Sequence, residues 1–190
     1  MRQLDDWLTK YVRYASLTSE PPLSYHWWVG VTVIAATLRR RVYNRFGFGK
    51  LYPNLYVVLM GPSGKTRKGT ACEIGMDLIR NVTEVVVAPE ATSKQALIKT
   101  MKDSIVSFQD PDTDKIDFHC PVMIYSEELS VFLGQNDVDF LSTLTNWYDS
   151  RDKWKYDTVS RGTEAISGVC VTMLGASAPD WLTSIIPREG

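Results

Sequence analysis

Residues 54–71, NLYVVLMGPSGKTRKGTA, limit how this chain can fold more than any other stretch. Leu55, Tyr56, Val57, Val58, Leu59 and Met60 form an unbroken apolar run, the pattern of a strand covered on both faces in a parallel sheet. Gly61, Pro62, Ser63 and Gly64 break it. Lys65, Thr66, Arg67, Lys68, Gly69 and Thr70 then bring amide N–H groups, hydroxyls and cations to the start of a helix, where a polyphosphate is best held. Strand, glycine turn and helix in this order point to a phosphate loop that binds Mg²⁺-ATP.

The spacing departs from G-x-x-x-x-G-K-[ST]. Reading Gly64, Lys65 and Thr66 as the closing triplet puts Leu59 where the leading glycine belongs. Reading Lys68 as the phosphate lysine lengthens the loop from Gly61 by one residue and sets Gly69 between Lys68 and the Thr70 hydroxyl. The second alignment is preferred, because a GPSG opening needs further residues to wrap a β-phosphate before a helix begins. Lys65 with Thr66 stands second, and a basic turn that binds nothing is the plain alternative.

The other chemical landmark is PVMIY at 121–125, a buried strand that ends in Ser126, Glu127 and Glu128. A nucleotide-hydrolysing sheet needs, at the carboxyl end of a strand near the loop, one acid for Mg²⁺ and one to orient the attacking water. Glu127 is assigned to the metal together with Thr70, and Glu128 to the water; a shift by one residue would put Ser126 at the metal. The alternative is a pair of exposed acids capping the helix that begins near Leu129. VCVTMLG at 169–175 is a further buried strand, and Ser177 just beyond it is the candidate to sense a γ-phosphate.

Around these landmarks the chain alternates strand and helix. An amphipathic helix carrying Leu4, Trp7, Leu8, Tyr11 and Val12, with Asp5 and Asp6 in its first turn, ends at Pro21 and Pro22. A second helix over about 23–41 is expected to pack Trp27, Trp28, Val31, Ile34, Ala35 and Leu38, with Arg39, Arg40 and Arg41 in its last turn. A short strand or hairpin over 42–48 follows. Beyond the loop come a helix over 70–81 facing inward with Ala71, Ile74, Leu78 and Ile79, a strand at 85–88, a helix capped by Thr92 or Ser93, and a helix over 138–148. The pattern is α/β, a parallel sheet flanked by helices: residues 1–50 form a helical lead-in and 51–190 the core.

Composition excludes several classes. A formal net charge of -1 exerts no general pull on nucleic acid, so contact must come from a local patch. Arg39, Arg40 and Arg41 are one candidate, against solvated charge at a helix end. Arg151, Lys153, Trp154, Lys155, Tyr156 and Arg161 are the other, mixing cations and aromatics as a single-strand binder does, against a surface hairpin whose aromatics dock on the core. No apolar run spans a bilayer and the first residues lack a signal pattern, so an intracellular, cytoplasmic protein is expected. Cys72, Cys120 and Cys170 read as reduced core thiols, and His119-Cys120 lacks partners for zinc. Asp110, Asp112 and Asp114 open like a calcium loop, but Lys115 and Pro121 stand where glycine and glutamate belong, which leaves a solvated turn.

Taken together, PPLSYHWWVGVTVIAATLRRRV, YPNLYVVLMGPSGKTRKGTA, APEATSKQAL, VMIYSEEL, NWYDSRDKW and TMLGASAPDWL resemble the ATPase domain of phage, plasmid and prophage replication proteins related to primase-helicases. The resemblance implies a RecA-like or AAA+-like P-loop core, with Lys68 and Thr70 on the nucleotide loop and Glu127 and Glu128 as the acidic pair. It implies a helicase-type ATPase on single-stranded DNA, assembled as a hexamer, in the cytoplasm of the host cell. It also implies a strand and a serine-arginine pair after Gly190, so that this chain would be a piece of such a protein or half of a split one. Two rivals stand beside it: a nucleotide-binding module that does not hydrolyse and docks to a primase or polymerase, and a small-molecule kinase on the same loop.

Overall fold

The computed structural model describes residues 6–90, 92–110, 113–134, 137–158 and 162–181. Leu4, Asp5, Asp112 and Arg161 lie outside the described residues. Two helices open the chain, α1 (Trp7–Thr18) and α2 (Leu23–Leu38). Asp6 caps the first, accepting from the Thr9 amide at 3.1 Å. An exposed hairpin, β1 (Asn44–Phe46) with β2 (Gly49–Leu51), leads to β3 (Tyr56–Met60). Then come α3 (Lys68–Ile79), β4 (Val86–Val87), α4 (Lys94–Asp103), β5 (Val106–Gln109) and β6 (Ile116–Ser126). The short α5 (Leu129–Leu133), α6 (Val138–Tyr148), the hairpin β7 (Lys153–Thr158) with β8 (Gly162–Ser167), and β9 (Val169–Ser177) complete the order.

The central sheet runs β3-β9-β6-β4, and these strands are all parallel. It is not purely parallel, as the apolar runs had suggested: β5 pairs antiparallel with the first half of β6, Val106 opposite His119 and Gln109 opposite Ile116. Helices cover both faces, which is why β9 is buried along its whole length. The period of two sorts the strands cleanly. Val122 and Ile124 of β6 join Leu97, Ile98, Phe140, Leu144 and Trp147 on one face, while Met123 and Tyr125 join Val29, Val33, Ala71, Met76 and Ile79 on the other. Each such aliphatic side chain contributes about 2 kcal/mol by leaving water.

The lead-in helices sit on the same face as α3. They approach closely because two glycines permit it. A Cβ on Gly75 of α3 would lie 2.2 Å from Val29, and one on Gly30 of α2 would lie 2.6 Å from Leu8. This geometry corrects the expected face of α2. His26, Val29, Gly30, Val33 and Ala36 are buried, whereas Trp27 and Trp28 are about half exposed. Nearly every position from 27 to 38 is apolar, so the sequence carries no contrast from which to choose a side.

Arg39, Arg40 and Arg41 correct another expectation. They form a single 3₁₀ turn after α2 rather than its last turn, and Arg39 and Arg40 are buried. Arg40 donates to the carbonyls of Ser150 (2.7 Å), Arg151 (3.2 Å) and Val169 (3.3 Å), to the Tyr52 hydroxyl (2.8 Å) and to the Asp152 carboxylate. Arg39 faces Glu84 at 3.8 Å. Of this patch, a nucleic-acid backbone could reach Arg41 alone. Asp110 likewise is no part of a solvated turn: it is buried and pairs with Lys50 at 3.2 Å. In β7, Trp154 and Tyr156 turn inward, stacked 5.7 Å apart with Trp154 edge-on to Trp147, while Lys153 and Lys155 point out. Among the described residues no helix is long and apolar enough to cross a membrane.

Candidate functional site

Three parallel strands deliver their carboxyl ends to one rim. Met60 of β3 stands opposite Ser177 of β9, and Gly175 of β9 stands opposite Ser126 of β6. The turn after Met60 and the acids after Tyr125 therefore share one edge of the sheet, separated by the end of β9.

The loop is tied down at its base and open at its tip. The Gly61 amide donates to the Ser177 carbonyl (3.3 Å), and the Tyr25 hydroxyl donates to the Met60 carbonyl (2.6 Å). A Cβ on Gly61 would lie 2.6 Å from that hydroxyl, so only glycine lets the chain pass beneath α2. Ser63, Gly64 and Lys65 are exposed, with Gly64 at φ 72. The Thr66 hydroxyl turns back to the Pro62 carbonyl at 3.4 Å. Arg67 caps α3 in the left-handed region, φ 51, where the P-loop pattern has a glycine, and its guanidinium meets Glu20 at 3.1 Å in an exposed pair of little energetic weight. The helix begins at Lys68, so the amides of Lys68, Gly69 and Thr70 have no acceptor within it.

Lys68 folds over the mouth of the loop, its Nζ donating to the carbonyls of Gly61 (2.6 Å) and Pro62 (3.4 Å). Lys65 is exposed at the tip. Thr70 is exposed on the first turn of α3, and the residue that faces the acids is its neighbour Gly69: a Cβ there would sit 3.5 Å from Glu127 Cδ and Oε1 and 3.6 Å from Oε2. Glu127 Oε1 accepts from the Tyr125 hydroxyl at 3.0 Å. Glu128 occupies the cap position of α5, but its carboxylate makes no capping bond; its carbonyl accepts from Val131 and Phe132 instead. Ser126 is buried within β6, and Ser177 is buried with its hydroxyl donated to the Ala178 carbonyl at 3.2 Å.

Beneath this rim lies Cys72, whose thiol is pushed up to about 12, chiefly by burial and further by Glu127 and Glu73, with Lys68 opposing. It stays protonated. Glu73 is held below the usual carboxylate range, first by the hydrogen bonds from Arg80 at 2.7 and 3.2 Å. Burial drives the Tyr125 phenol upward, so it acts as a neutral donor.

No protein-family model matches the sequence, and no curated protein is similar enough to count as a relative.

The residues present fit a nucleotide-bound Mg²⁺. Such an ion takes one or two carboxylates and completes its shell with phosphate oxygens and water, so it needs no protein cage. Glu127 supplies a carboxylate with one oxygen anchored by the Tyr125 hydroxyl. A hollow of about 430 Å³ beside α4 and α6 is a poorer anion site, because Lys94, on its wall, is already paired with Asp139 at 2.6 Å and lies over the Tyr156 ring.

Tyr125, Glu73 and Tyr25 carry no mark of a site in the sequence reading, and Cys72 is read there only as a core thiol. A signal for Tyr125 existed: counting by two from Glu127 along β6 reaches it, on the face where α3 packs.

Proposed function

We propose that this chain is a RecA-like P-loop NTPase core that binds Mg²⁺-ATP at the rim formed by β3, β9 and β6. The single observation that carries this reading is the Glu127 carboxylate facing Gly69, on the first turn of the helix that follows the glycine loop. An interposed strand ending in a polar residue, here β9 and Ser177, is compatible with that core. The resemblance adds the biological setting, a helicase-type motor on single-stranded DNA in viral or mobile-element replication.

In this reading the amides from Ser63 to Gly69 surround the β-phosphate, and Lys68 exchanges the Gly61 and Pro62 carbonyls for phosphate oxygens. The Pro62 carbonyl, on the exposed side of the loop, can turn to water in that exchange. Glu127 holds Mg²⁺, which when bound neutralises β- and γ-oxygens. Glu128, exposed and uncommitted to the α5 cap, orients the water for in-line attack. Lys65 and Arg67 add positive charge at the lip.

One observation favours the second reading, a module that binds nucleotide without hydrolysing it and docks to a primase or polymerase. The Ser177 hydroxyl is buried and spent on Ala178, so it has no proton aimed at a γ-phosphate. Phosphate release measured with and without single-stranded DNA separates the two. A motor hydrolyses ATP and is stimulated by its track, whereas a module shows saturable ATP binding with no release in either condition.

A further inference from the structure

The ring of Tyr125 is 1% exposed in the core between β6 and α3, yet its hydroxyl reaches the rim and donates to Glu127 Oε1 at 3.0 Å. It also lies against the Glu73 carboxylate. Arg80 donates to both oxygens of Glu73 at 2.7 and 3.2 Å, so that carboxylate has its own partner. A carboxylate at the end of a strand would otherwise sample several rotamers; this one is held by a donor that is itself locked in packing. What it is held against is Gly69. The distances from a Gly69 Cβ to the two Glu127 oxygens, 3.5 and 3.6 Å, are ordinary contacts, so a methyl fits there and a serine hydroxyl would come within hydrogen-bonding range of the carboxylate.

Resting on the nucleotide reading above, we propose that Tyr125 is the positioning residue of this site and that Gly69 marks its metal-facing position. The phenol fixes Glu127 Oε1 so that Oε2 is presented to a nucleotide-bound divalent cation. Glu127 thereby takes over, in the position after the phosphate lysine, the part that a serine or threonine hydroxyl plays in the usual loop pattern.

The test measures ATP binding by calorimetry on the full chain, once with Mg²⁺ and once with EDTA, and takes the ratio of the two affinities as the metal gain. Tyr125→Phe is expected to lower that gain about tenfold while leaving the affinity in EDTA unchanged. Gly69→Ser added to it should restore most of the gain, because the new hydroxyl donates to the same carboxylate. A Tyr125→Phe chain with the full gain overturns the inference, as does one that loses affinity equally in both buffers. If Tyr125→Phe fails to fold, Glu127→Gln decides: a metal gain that is lost while the affinity in EDTA is kept supports the placing of Glu127 on the cation, and a full gain rejects the inference. Wild-type chain that binds no ATP in either buffer removes the nucleotide reading and this inference with it. Binding that Lys68→Ala abolishes but Tyr125→Phe leaves fully metal-dependent removes the inference only.

Discussion

Arg40 and Lys68 are both cations laid against main-chain carbonyls, and the fold treats them oppositely. Arg40 is buried, its guanidinium donating to three carbonyls from two separate segments and lying 4.0 Å from the centre of the Tyr52 ring. Removing it takes a buried donor from the Ser150 and Val169 carbonyls, while the Arg151 carbonyl keeps the Val169 amide. Lys68 touches two carbonyls of one loop, Gly61 at its buried base and Pro62 on its exposed side, and its own side chain stays half-buried at the loop mouth. A cation of the first kind is consumed in holding β9, the α6 exit and the 3₁₀ turn together. One of the second kind is available for exchange with an anion. Position in the sequence does not separate them; what each charge is set against does.

The contrast breaks most sharply by mutation. Lys68→Ala is expected to reduce kcat/KM for ATP by about 100-fold or more with an unchanged melting temperature, and Glu128→Gln to lower turnover similarly while ATP still binds, both read by phosphate release and calorimetry. Unchanged hydrolysis in both variants would reject the site. Arg40→Met should do the reverse. It should cost roughly 3 kcal/mol in urea unfolding through the orphaned carbonyls and, at temperatures where the chain stays folded, leave ATP affinity alone.

A smaller effect comes from His119, buried beside Phe108 with neither ring nitrogen hydrogen-bonded among the described residues. Burial first, and then Arg39, Arg40 and Arg41, push its pKa from 6.5 to about 4. Below pH 6.5 the unfolded chain takes up a proton that the folded chain refuses. The contribution is therefore complete above pH 6.5 and drains away as pH falls toward 4, by about 2 kcal/mol at pH 5. Urea midpoints of wild type and His119→Leu between pH 7 and 5 check this: the variant should lose less stability over that interval.

The smallest effect belongs to the outward lysines of β7. Lys153→Ala and Lys155→Ala should leave stability within about 0.5 kcal/mol and, if this hairpin is the track for single-stranded DNA, each should reduce the salt slope of binding by roughly one. An unaltered slope would take these two lysines out of the interface and leave Arg41 and Arg151 as the exposed arginines of the two patches.

Much of the fold was legible because its strands are apolar runs closed by clear stop signals: Met60 before Gly61, Ser126 before two acids, Ser93 capping α4. The orientation of α2 was not, since a helix apolar all round hides its buried side. The antiparallel strand β5 was missed because VSFQ is short and half polar, and its pairing with the start of β6 is a long-range contact with no local mark. The burial of Arg39 and Arg40 was invisible for the same reason: their acceptors lie more than a hundred positions away for Arg40. In the site, the loop and the acids were both readable as motifs. Their proximity through Gly69, and the phenol behind Glu127, depend on how three strand ends line up across β9.

The most direct measurement is a structure of the chain with Mg²⁺ and a non-hydrolysable ATP analogue. The β-phosphate is expected among the amides of Ser63 to Gly69, with Lys68 Nζ moved from the Gly61 carbonyl onto phosphate and a metal ion held by Glu127. Nucleotide seated elsewhere, or Lys68 still on Gly61 with phosphate held by Lys65 alone, would contradict it.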